Sequence, residues 1–339
     1  SKRMDRLEHE YRDLNIKRFR FNFAFGHFFR FSWGILKYLW NSEYDIIHIH
    51  NIHDAHLFLA VIIKLLRRKK LIITGHNPYM VKTEKRGAIL NTLVNIYDMV
   101  FAIVFARFVD KYVALLESEK RTVMRKYFWS ENKVVVIPNG IQREFYEPQD
   151  KGNFFSSWQI NPNKWQLVVG TVSRINFVKG IQNLLPVVNA LPKVLFVFAG
   201  GDDGYLDYLK RLFVGKENVI FTERYLTIEE TREFYRDIDI FLLPSVYEPF
   251  GMTVVEAMAQ GKTVLATDNG GPQEIINEKF GKIINPSNSD EWIKEIKKYR
   301  KDPELLIKNT EFAKKASTKY QWPMVIKRLE ETIVSVVNS

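Results

Sequence analysis

Cysteine is absent from the 339 residues of the chain, and so are long uninterrupted apolar runs. The lack of cysteine excludes a disulfide framework, a zinc ribbon and a thiolate nucleophile, and it favours a reducing, cytoplasmic compartment. A membrane-spanning helix needs roughly 18 to 20 apolar residues, but the best run, 99–109, is interrupted by Arg107. Because the first residues also lack the apolar core of a signal peptide, we expect neither a membrane span nor secretion.

The overall composition is that of a folded protein. Hydrophobic residues make up 46% of the chain and charged residues 26%, which excludes a disordered or a fibrous protein. The length predicts about two domains, each large enough to bury a core.

Basic residues are distributed unevenly along the chain. The formal net charge is +11; residues 1–137 contain 24 basic and 13 acidic side chains, whereas residues 138–339 contain 26 of each. Such an asymmetry indicates an anionic partner for the N-terminal part, whether a nucleic acid, an anionic membrane surface or a phosphorylated substrate. No nucleic-acid-binding motif accompanies the charge, which disfavours nucleic acid as the partner.

Aromatic and basic residues are interleaved near the N-terminus. Alternation at 16–21 predicts a strand with one apolar face, and the spacing within 26–40 predicts an amphipathic helix. A helix that carries Trp and Phe beside Arg and Lys can lie in the interface of an anionic bilayer. The same spacing is typical of a helix that packs on a core, so both interpretations stay open.

Short apolar strands alternate with helical patterns in two series along the rest of the chain. The first series has helices at 55–66 and 88–108 and strands at 45–50, 71–74, 110–115 and 134–137. A polar connector at 142–163 separates the two series. The second series has strands at 167–172, 194–199, 219–222, 238–243 and 263–266, and a helix follows each of the first four. Three helices follow without intervening strands, at 290–299, 303–317 and 323–337. Two such series of βαβ units predict two Rossmann-like domains with parallel sheets.

Two cations follow the strand at 167–172, in a loop that opens a helix. They are Arg174 and Lys179, within Ser-Arg-Ile-Asn-Phe-Val-Lys-Gly at 173–180. Ligands of open parallel sheets bind outside the carboxyl ends of the strands. Two cations beside a helix N-terminus can bind a diphosphate there and stabilise the charge of a departing phosphate. On this local pattern alone, two solvated surface cations are the alternative.

Two glutamates follow the strand at 238–243, with seven residues between them. Glu248 precedes a predicted helix, and Glu256 lies just over one turn inside it among apolar residues. The first amides of that helix lack intrahelical acceptors and can bind phosphate or sugar oxygens. A carboxylate among apolar neighbours is favoured if it accepts hydrogen bonds from a vicinal diol. A capping glutamate and an exposed helical glutamate are the alternative.

These residues belong to a set of motifs that closely resembles the retaining GT-B glycosyltransferases of family GT4. The glutamates stand in Pro-Ser-x-x-Glu-Pro-Phe-Gly-x-x-x-x-Glu-Ala-Met. From about Asp45 onwards, four further segments fit the family in the same order, namely 136–141, 173–180, 198–201 and 269–272. The resemblance implies an α/β fold of the GT-B type, in which two Rossmann-like domains with parallel sheets face each other across a cleft.

The resemblance also implies roles for single residues. Arg174 and Lys179 would hold the donor diphosphate, Glu256 would bind the ribose hydroxyls, and Glu248 would bind hydroxyls of the donor sugar. His76, after the strand at 71–74, would face that sugar and support the transition state by a polar contact, with a purely structural histidine as the alternative. The catalytic set is thus His76, Arg174, Lys179 and Glu248. The further residues implied at the nucleotide sugar are Tyr225, Leu226, Phe250, Gly251, Met252 and Thr253.

Four histidines near the N-terminus are spaced as metal ligands can be, namely His48, His50, His53 and His56. Residues on one strand face can share a metal only if that face lines the cleft. The resembled family needs no bound metal, and we therefore expect none. We expect His50 to face the acceptor instead. We also expect no cofactor, because the nucleoside-diphosphate sugar is a donor substrate.

Glycine is scarce at the start of the chain, and this departs from the family pattern. Members begin with a strand, a Gly-Gly loop and a helix, whereas here only Gly26 and Gly34 precede Gly75. We expect that the first βαβ unit is missing, either because the chain is truncated, which we favour, or because a second chain supplies it. The predicted domains are 1–137, an incomplete acceptor-side domain, 138–318, a nucleotide-sugar-binding domain, and 319–339, a helix that crosses back to the first domain.

The sequence as a whole predicts a retaining, metal-independent glycosyltransferase. It would move a hexosyl residue from a nucleoside-diphosphate sugar to a hydroxyl acceptor. The charge of 1–137 favours a lipid-linked or otherwise anionic acceptor and a peripheral position at the cytoplasmic face of the membrane. The alternative is a membrane-surface or nucleotide-sugar-binding protein whose catalysis is impaired. A dinucleotide-dependent oxidoreductase is disfavoured, because no Gly-x-Gly-x-x-Gly follows a strand.

Overall fold

The computed structural model describes residues 16–25, 29–51, 56–76, 104–147 and 153–339, together with residues 92, 96, 99 and 100. In these residues the strands form two parallel sheets, of four and six strands, and one small antiparallel hairpin. The α/β fold with two parallel sheets, predicted from the sequence, is therefore confirmed. None of the described helices is both long and apolar enough to cross a membrane.

An antiparallel hairpin precedes the first parallel sheet. Its strands are β1 (Phe23–Phe25) and β2 (Phe29–Phe31), and helix α1 (Trp33–Asn41) follows. The predicted strand at 16–21 and the predicted start of the helix at 26 are therefore wrong. Phenylalanine at every second position suits a strand, and Asn22 fixes the start of α1, because its Oδ1 accepts a hydrogen bond from the Trp33 N–H at 2.9 Å.

The first parallel sheet lies in the N-terminal half. Its elements are β3 (Ile46–His50), α2 (His56–Arg67), β4 (Lys70–Thr74), β5 (Lys111–Ala114), α3 (Glu117–Tyr127) and β6 (Val134–Val136). The strands lie in the order β3-β4-β5-β6. Leu57 and Val61 of α2 pack with Leu71 and Ile73 of β4 in one core, because the apolar residues of α2 recur at helical spacing.

The second parallel sheet lies in the C-terminal half. The helices and strands of this half are α4 (Phe154–Ser157), β7 (Leu167–Val172), α5 (Leu185–Ala190), β8 (Val194–Ala199), α6 (Leu206–Leu212), β9 (Val219–Phe221), α7 (Ile228–Asp237), β10 (Ile240–Leu243), α8 (Met252–Ala259), β11 (Thr263–Thr267), α9 (Pro272–Ile275), β12 (Gly281–Ile284), α10 (Ser289–Lys301), α11 (Glu304–Ser317) and α12 (Trp322–Val337). The order is β12-β11-β10-β7-β8-β9. The order therefore reverses beside β7, where open sheets bind ligands. Leu195 and Val197 of β8 enter one core, and Phe196 and Phe198 enter the other.

Several elements differ from the sequence prediction. The connector predicted at 142–163 contains α4, whose Phe154 and Phe155 are buried. The sequence patterns do not reveal α3, which is rich in charged residues, or β12, which has only four residues. The predicted helix at 88–108 lies largely outside the described residues, and Ala106–Phe108 form a turn of 3₁₀ helix.

The last helix, α12, packs on the first sheet although it follows the second sheet in the chain. Its Val325 and Val336 share a core with Ile72 of β4 and Val113 of β5. The contact therefore joins the C-terminus to the N-terminal half, while the domain limits at 137 and 318 stay predictions.

A charge introduced into this contact should destabilise the protein. Val336 is 3% exposed, whereas Val334 on the same helix is 56% exposed. We expect Val336→Asp to lower the free energy of unfolding by about 2 kcal/mol or more, because it buries a carboxylate without a partner. The matched control Val334→Asp should change it by less than about 0.5 kcal/mol. Circular dichroism gives the two thermal unfolding midpoints, and equal midpoints would contradict the packing of α12.

Candidate active site

Loops from the carboxyl ends of β7, β8 and β10 meet at the reversal point of the second sheet. The loop after β7 forms a bridge with the loop after β8, between Ile175 and Asp202. It also contacts the loop after β10, because the Val246 N–H donates to the Val178 carbonyl at 2.8 Å. The backbone thus brings the loop with the two predicted cations against the loop with the first predicted glutamate.

Lys179 and Glu248 form an ion pair between these two loops. Lys179 Nζ lies 2.7 Å from Glu248 Oε2, and the two side chains are 19% and 11% exposed. Ser245 Oγ lies 3.5 Å from the same carboxylate oxygen. Both charges are largely removed from water, so the loss of either partner would leave the other uncompensated. The structure therefore places two residues of the predicted catalytic set in direct contact.

The motif at 269–272 holds the backbone of Glu248. The Glu248 N–H donates to the Asn269 carbonyl at 3.0 Å, and the Glu248 carbonyl accepts from the Gly271 N–H at 2.9 Å. Gly270 has a φ of +106°, and an added Cβ would lie 2.1 Å from the Glu248 carbonyl oxygen. Only glycine tolerates both conditions. The Asn-Gly-Gly-Pro motif therefore fixes the backbone conformation of the loop that carries Glu248.

Arg174 lies in the same loop as Lys179 but is far more accessible. Its side chain is 62% exposed, and its Nη1 lies 3.1 Å from Asp203 Oδ2. Asn176 Nδ2 donates to that same oxygen at 2.9 Å. An exposed ion pair contributes little to stability, so the guanidinium can turn towards an incoming diphosphate with a small loss of free energy.

Glu256 is held inside α8 by a tyrosine of α7. The Tyr235 hydroxyl donates a hydrogen bond to Glu256 Oε2 at 2.9 Å. Burial raises the pKa of Glu256 to about 7, although this hydrogen bond lowers it. The side chain is therefore not the exposed helical glutamate of the alternative interpretation. Its remaining lone pairs can accept hydrogen bonds from a diol.

The start of α8 can contact a ligand through its main-chain amides rather than through side chains. The Phe250 side chain is buried and lies edge-on to Tyr320 at 6.0 Å between ring centroids. It can therefore contact a ligand only through its main chain. Gly251 is the N-cap of α8, and the amides of Met252 and Thr253 belong to the first turn, where helix geometry supplies no acceptor.

The segment 224–226 forms a polar and aromatic edge near the loop after β8. Arg224 is paired with Glu230 and lies 4.8 Å from the centre of the Trp158 ring. The Tyr225 ring is largely exposed, whereas Leu226 is partly buried against the core. Tyr225 and Leu226 are the residues of this segment predicted at the nucleotide sugar. Tyr225 presents a flat apolar surface there, and Leu226 fixes the segment.

Three histidines lie in a row at the carboxyl edge of the first sheet. His50 Nδ1 lies 2.9 Å from His76 Nε2, and His48 Nε2 lies 2.7 Å from Thr74 Oγ1. Burial lowers the pKa of all three, that of His48 to about 4. They are therefore predominantly neutral at pH 7. The residue predicted at the acceptor, His50, thus contacts the residue predicted at the donor sugar, His76.

The histidine pattern considered for metal binding is only partly covered, because His53 lies outside the described residues. Across the part of the chain that the structure describes, no group of three or more His, Cys, Asp or Glu side chains could hold a metal ion. The expectation of a metal-free protein stays a prediction.

Two partners of the predicted site residues carry no sequence signal of their own. Asp203 pairs with Arg174, and Tyr235 binds Glu256. Both contacts join segments more than 20 residues apart in the chain. A local pattern cannot reveal them, since it reports only neighbours in the chain.

Glu274 of α9 connects the two halves of the molecule. Its carboxylate oxygens accept hydrogen bonds from the N–H groups of Glu117 and Ser118, each at 2.8 Å. These amides begin α3, whose N-cap Leu116 makes no side-chain cap. Glu274 comes two residues after the Asn-Gly-Gly-Pro motif, and this position is the one signal by which the sequence could have pointed to it.

The buried carboxyl of Glu256 should make stability depend on pH. Its pKa is raised from an unfolded value near ~4.3 to about 7, so the native state binds the proton more tightly. This contribution to stability is complete below the unfolded pKa and is lost as pH rises through about 7. Because pH 5 already lies above the unfolded pKa, we expect Glu256→Gln to unfold slightly above the wild-type temperature at pH 5 and much further above it at pH 8. Calorimetry at both pH values measures the difference.

The control is Glu311→Gln, on an exposed position of α11. It should shift the unfolding temperature equally at the two pH values. A Glu256→Gln difference that does not change with pH would contradict a raised pKa at this site.

Comparisons with known proteins bear on the family and the fold of the chain. The model of "Glycosyltransferase Family 4" matches residues 2–145, and that of "Glycosyl transferases group 1" matches residues 152–318. An uncharacterized glycosyltransferase of Methanocaldococcus jannaschii is 29% identical over 231 residues, which are 63% of this chain and 57% of that protein. The alpha-galactosylglucosyldiacylglycerol synthase of Streptococcus pneumoniae is 28% identical over 197 residues, 56% of this chain and 51% of that enzyme. The chain thus spans about half the length of these relatives.

Solved structures show the same fold. HepE of Anabaena in complex with UDP-glucose superposes with a TM-score of 0.71 at 22% identity, over 89% of this chain and 81% of that one. The match extends across both sheets, and it confirms the two-domain architecture implied by the sequence motifs. The chain belongs to the group 1 glycosyltransferases of family GT4 and has their GT-B fold.

Proposed function

We propose that the protein is a retaining, metal-independent glycosyltransferase that transfers a hexosyl residue from a nucleoside-diphosphate sugar to a hydroxyl group. The contact between Lys179 and Glu248 carries the proposal. It holds a cation suited to a diphosphate within 2.7 Å of a carboxylate suited to sugar hydroxyls. HepE, which shares the fold, has been solved with UDP and with UDP-glucose, and this supports a nucleotide sugar as the donor.

The donor would be held along the carboxyl edge of the second sheet. Arg174 and Lys179 would bind the diphosphate together with the first amides of α8. The Glu256 carboxylate, oriented by Tyr235, would accept hydrogen bonds from the ribose diol, and Tyr225 would stack on the base. Lys179 and Glu256 are already held by neighbours, so these two side chains require little rearrangement on binding.

The chemistry would be a front-face displacement. The bond between the anomeric carbon and the phosphate oxygen breaks while the acceptor oxygen forms its bond on the same face. The departing phosphate oxygen takes the acceptor proton, so no protein base is needed. Lys179 and Arg174 stabilise the charge that develops on the phosphate, and Glu248 holds the sugar through its hydroxyls.

We propose a lipid-linked or otherwise anionic acceptor at the cytoplasmic face of the membrane. The excess of positive charge lies in residues 1–137. Helices α1 and α2 expose Trp33, Trp40 and Leu66 around the cation Lys37, and rings beside cations suit an anionic lipid interface. The name of the streptococcal relative contains diacylglycerol, which supports a lipid acceptor.

Removal of the Lys179 cation should abolish most of the turnover. We expect Lys179→Ala to lower kcat by about 100-fold or more, because a preorganised charge at the leaving group is lost. The measurement is the release of free nucleoside diphosphate from a panel of sugar nucleotides, with the anomeric configuration of the product read by NMR. The control is Lys210→Ala, a lysine of α6 that pairs with Glu223 at the surface.

Three outcomes would contradict the proposal. They are wild-type turnover in Lys179→Ala, a product of inverted configuration, and a sugar nucleotide that stabilises the protein without any release of nucleoside diphosphate. The last would indicate a binding protein.

Binding to vesicles should depend on anionic lipid. We expect co-sedimentation with vesicles that contain phosphatidylglycerol and much less with neutral phosphatidylcholine vesicles, because the cations of residues 1–137 are attracted to the negative surface. Binding should weaken at high salt as the charges are screened. Equal binding to both vesicles, or none, would assign the charge to an ordinary solvated surface.

A further inference from the structure

Two residues at the ends of neighbouring strands have an unusual backbone. Asn51 follows β3 with a φ of +82°, and His76 follows Gly75 after β4 with a φ of +94°. Residues other than glycine rarely adopt this region, because it is strained for a residue with a side chain. The Asn51 N–H donates to the Thr74 carbonyl at 2.9 Å. Such strained turns cluster at functional sites when their surroundings impose them.

A buried carboxylate of α3 supports the turn before His76. Glu119 accepts hydrogen bonds from the Tyr112 hydroxyl and the Leu115 N–H, both at 2.8 Å. An added Cβ at Gly75 would lie 1.7 Å from Glu119 Oε1, so the chain passes directly over this carboxylate. The position of His76 is thus set by hydrogen bonds within the first sheet and α3.

The three imidazoles are arranged as a stack. The rings of His48 and His50 are 4.7 Å apart at 28°, and those of His50 and His76 are 5.2 Å apart at 25°. His48 and His50 share one face of β3, because side chains alternate along a strand. Thr74 Oγ1 completes the row by its contact with His48. A continuous row of contacts therefore runs from Thr74 and His48 through His50 to the exposed ring of His76.

The contact between His50 Nδ1 and His76 Nε2 restricts the protons of both rings. A hydrogen bond between two neutral imidazoles needs one N–H and one bare nitrogen. If His50 Nδ1 donates, the proton of His76 lies on its Nδ1 and His50 Nε2 is bare. If His76 Nε2 donates, the proton of His50 lies on its Nε2 and His76 Nδ1 is bare. Of the two nitrogens outside this hydrogen bond, His50 Nε2 and His76 Nδ1, one therefore always carries a proton and can donate, and the other is bare and can accept.

We propose that His50 is a positioning residue for His76 in the transferase reaction, a role that rests on the proposed function. It holds the ring plane of His76 and couples the tautomer of His76 to its own, so that one of the two complementary proton arrangements is adopted by the pair. The pair presents one N–H and one bare nitrogen to two different hydroxyl groups, such as one of the donor sugar and one of the acceptor. Because both rings are predominantly neutral, the pair adds no positive charge that would compete with the cations of the diphosphate site.

Two variants of His50 separate positioning from simple packing. His50→Phe keeps a ring that can stack but has no nitrogen, whereas His50→Asn keeps a polar atom near the place of Nδ1. We expect His50→Phe to lower kcat by about tenfold or more with the donor KM within about twofold, since the contact acts mainly in the transition state. His50→Asn should restore kcat to within about threefold of wild type. The control His56→Gln, at the start of α2, should keep wild-type kinetics.

A second measurement is independent of activity. Histidine labelled with ¹⁵N gives signals from only seven residues, and their nitrogen shifts report the tautomer of each ring. We expect a single His76 tautomer in wild type and in His50→Asn, and an averaged signal in His50→Phe.

Two results would overturn the role of His50. One is a His76 tautomer that is the same in wild type and His50→Phe. The other is an equal loss of kcat in His50→Phe and His50→Asn when both are folded. If the wild-type protein transfers no sugar at all, the proposed function fails, while the nitrogen shifts still decide whether His50 controls His76.

Discussion

The ion pair between Lys179 and Glu248 is the interaction on which the proposed donor side of the site depends. Neither charge could remain so little exposed without the other. The pair joins loops that leave β7 and β10, which are hydrogen-bonded neighbours in the sheet. Its geometry is therefore set by the spacing of strands, roughly 4.8 Å, and by the backbone hydrogen bonds of Asn269 and Gly271 to Glu248. A site built in this way exists before any substrate arrives.

The two sheet edges that form the candidate site differ in local charge, although the excess of basic residues lies in the N-terminal half. The loops of the second sheet carry Arg174 and Lys179, which suit a diphosphate. The edge of the first sheet carries the neutral rings of His50 and His76, which suit hydroxyl groups. This division follows from solvation. Burial favours neutral imidazole where, among the described residues, no carboxylate compensates a proton, whereas Glu248 compensates the ammonium of Lys179. In the proposed reaction, the charged side chains would therefore face the diphosphate and the neutral imidazoles would face the hydroxyl groups.

Sequence patterns predict the second sheet well. The limits of β7, β8 and α8 coincide with prediction, because strands buried on both faces are uniformly apolar. The N-terminal hairpin is not predicted correctly, since alternating phenylalanines suit more than one structure. Motif spacing identified Glu248 and Glu256, but the partner Tyr235 and the contact of His50 with His76 depend on tertiary packing. Such contacts lie beyond any local pattern.

Helix α3 takes its N-terminal cap from the opposite half of the molecule. A cap of this kind contributes about 0.5–2 kcal/mol, and the carboxylate of Glu274 also interacts favourably with the helix dipole. A rotation that moves α9 away from α3 leaves the amides of Glu117 and Ser118 without their acceptor. Because α3 also carries Glu119, which underlies Gly75, loss of this cap would destabilise the helix that supports the turn before His76.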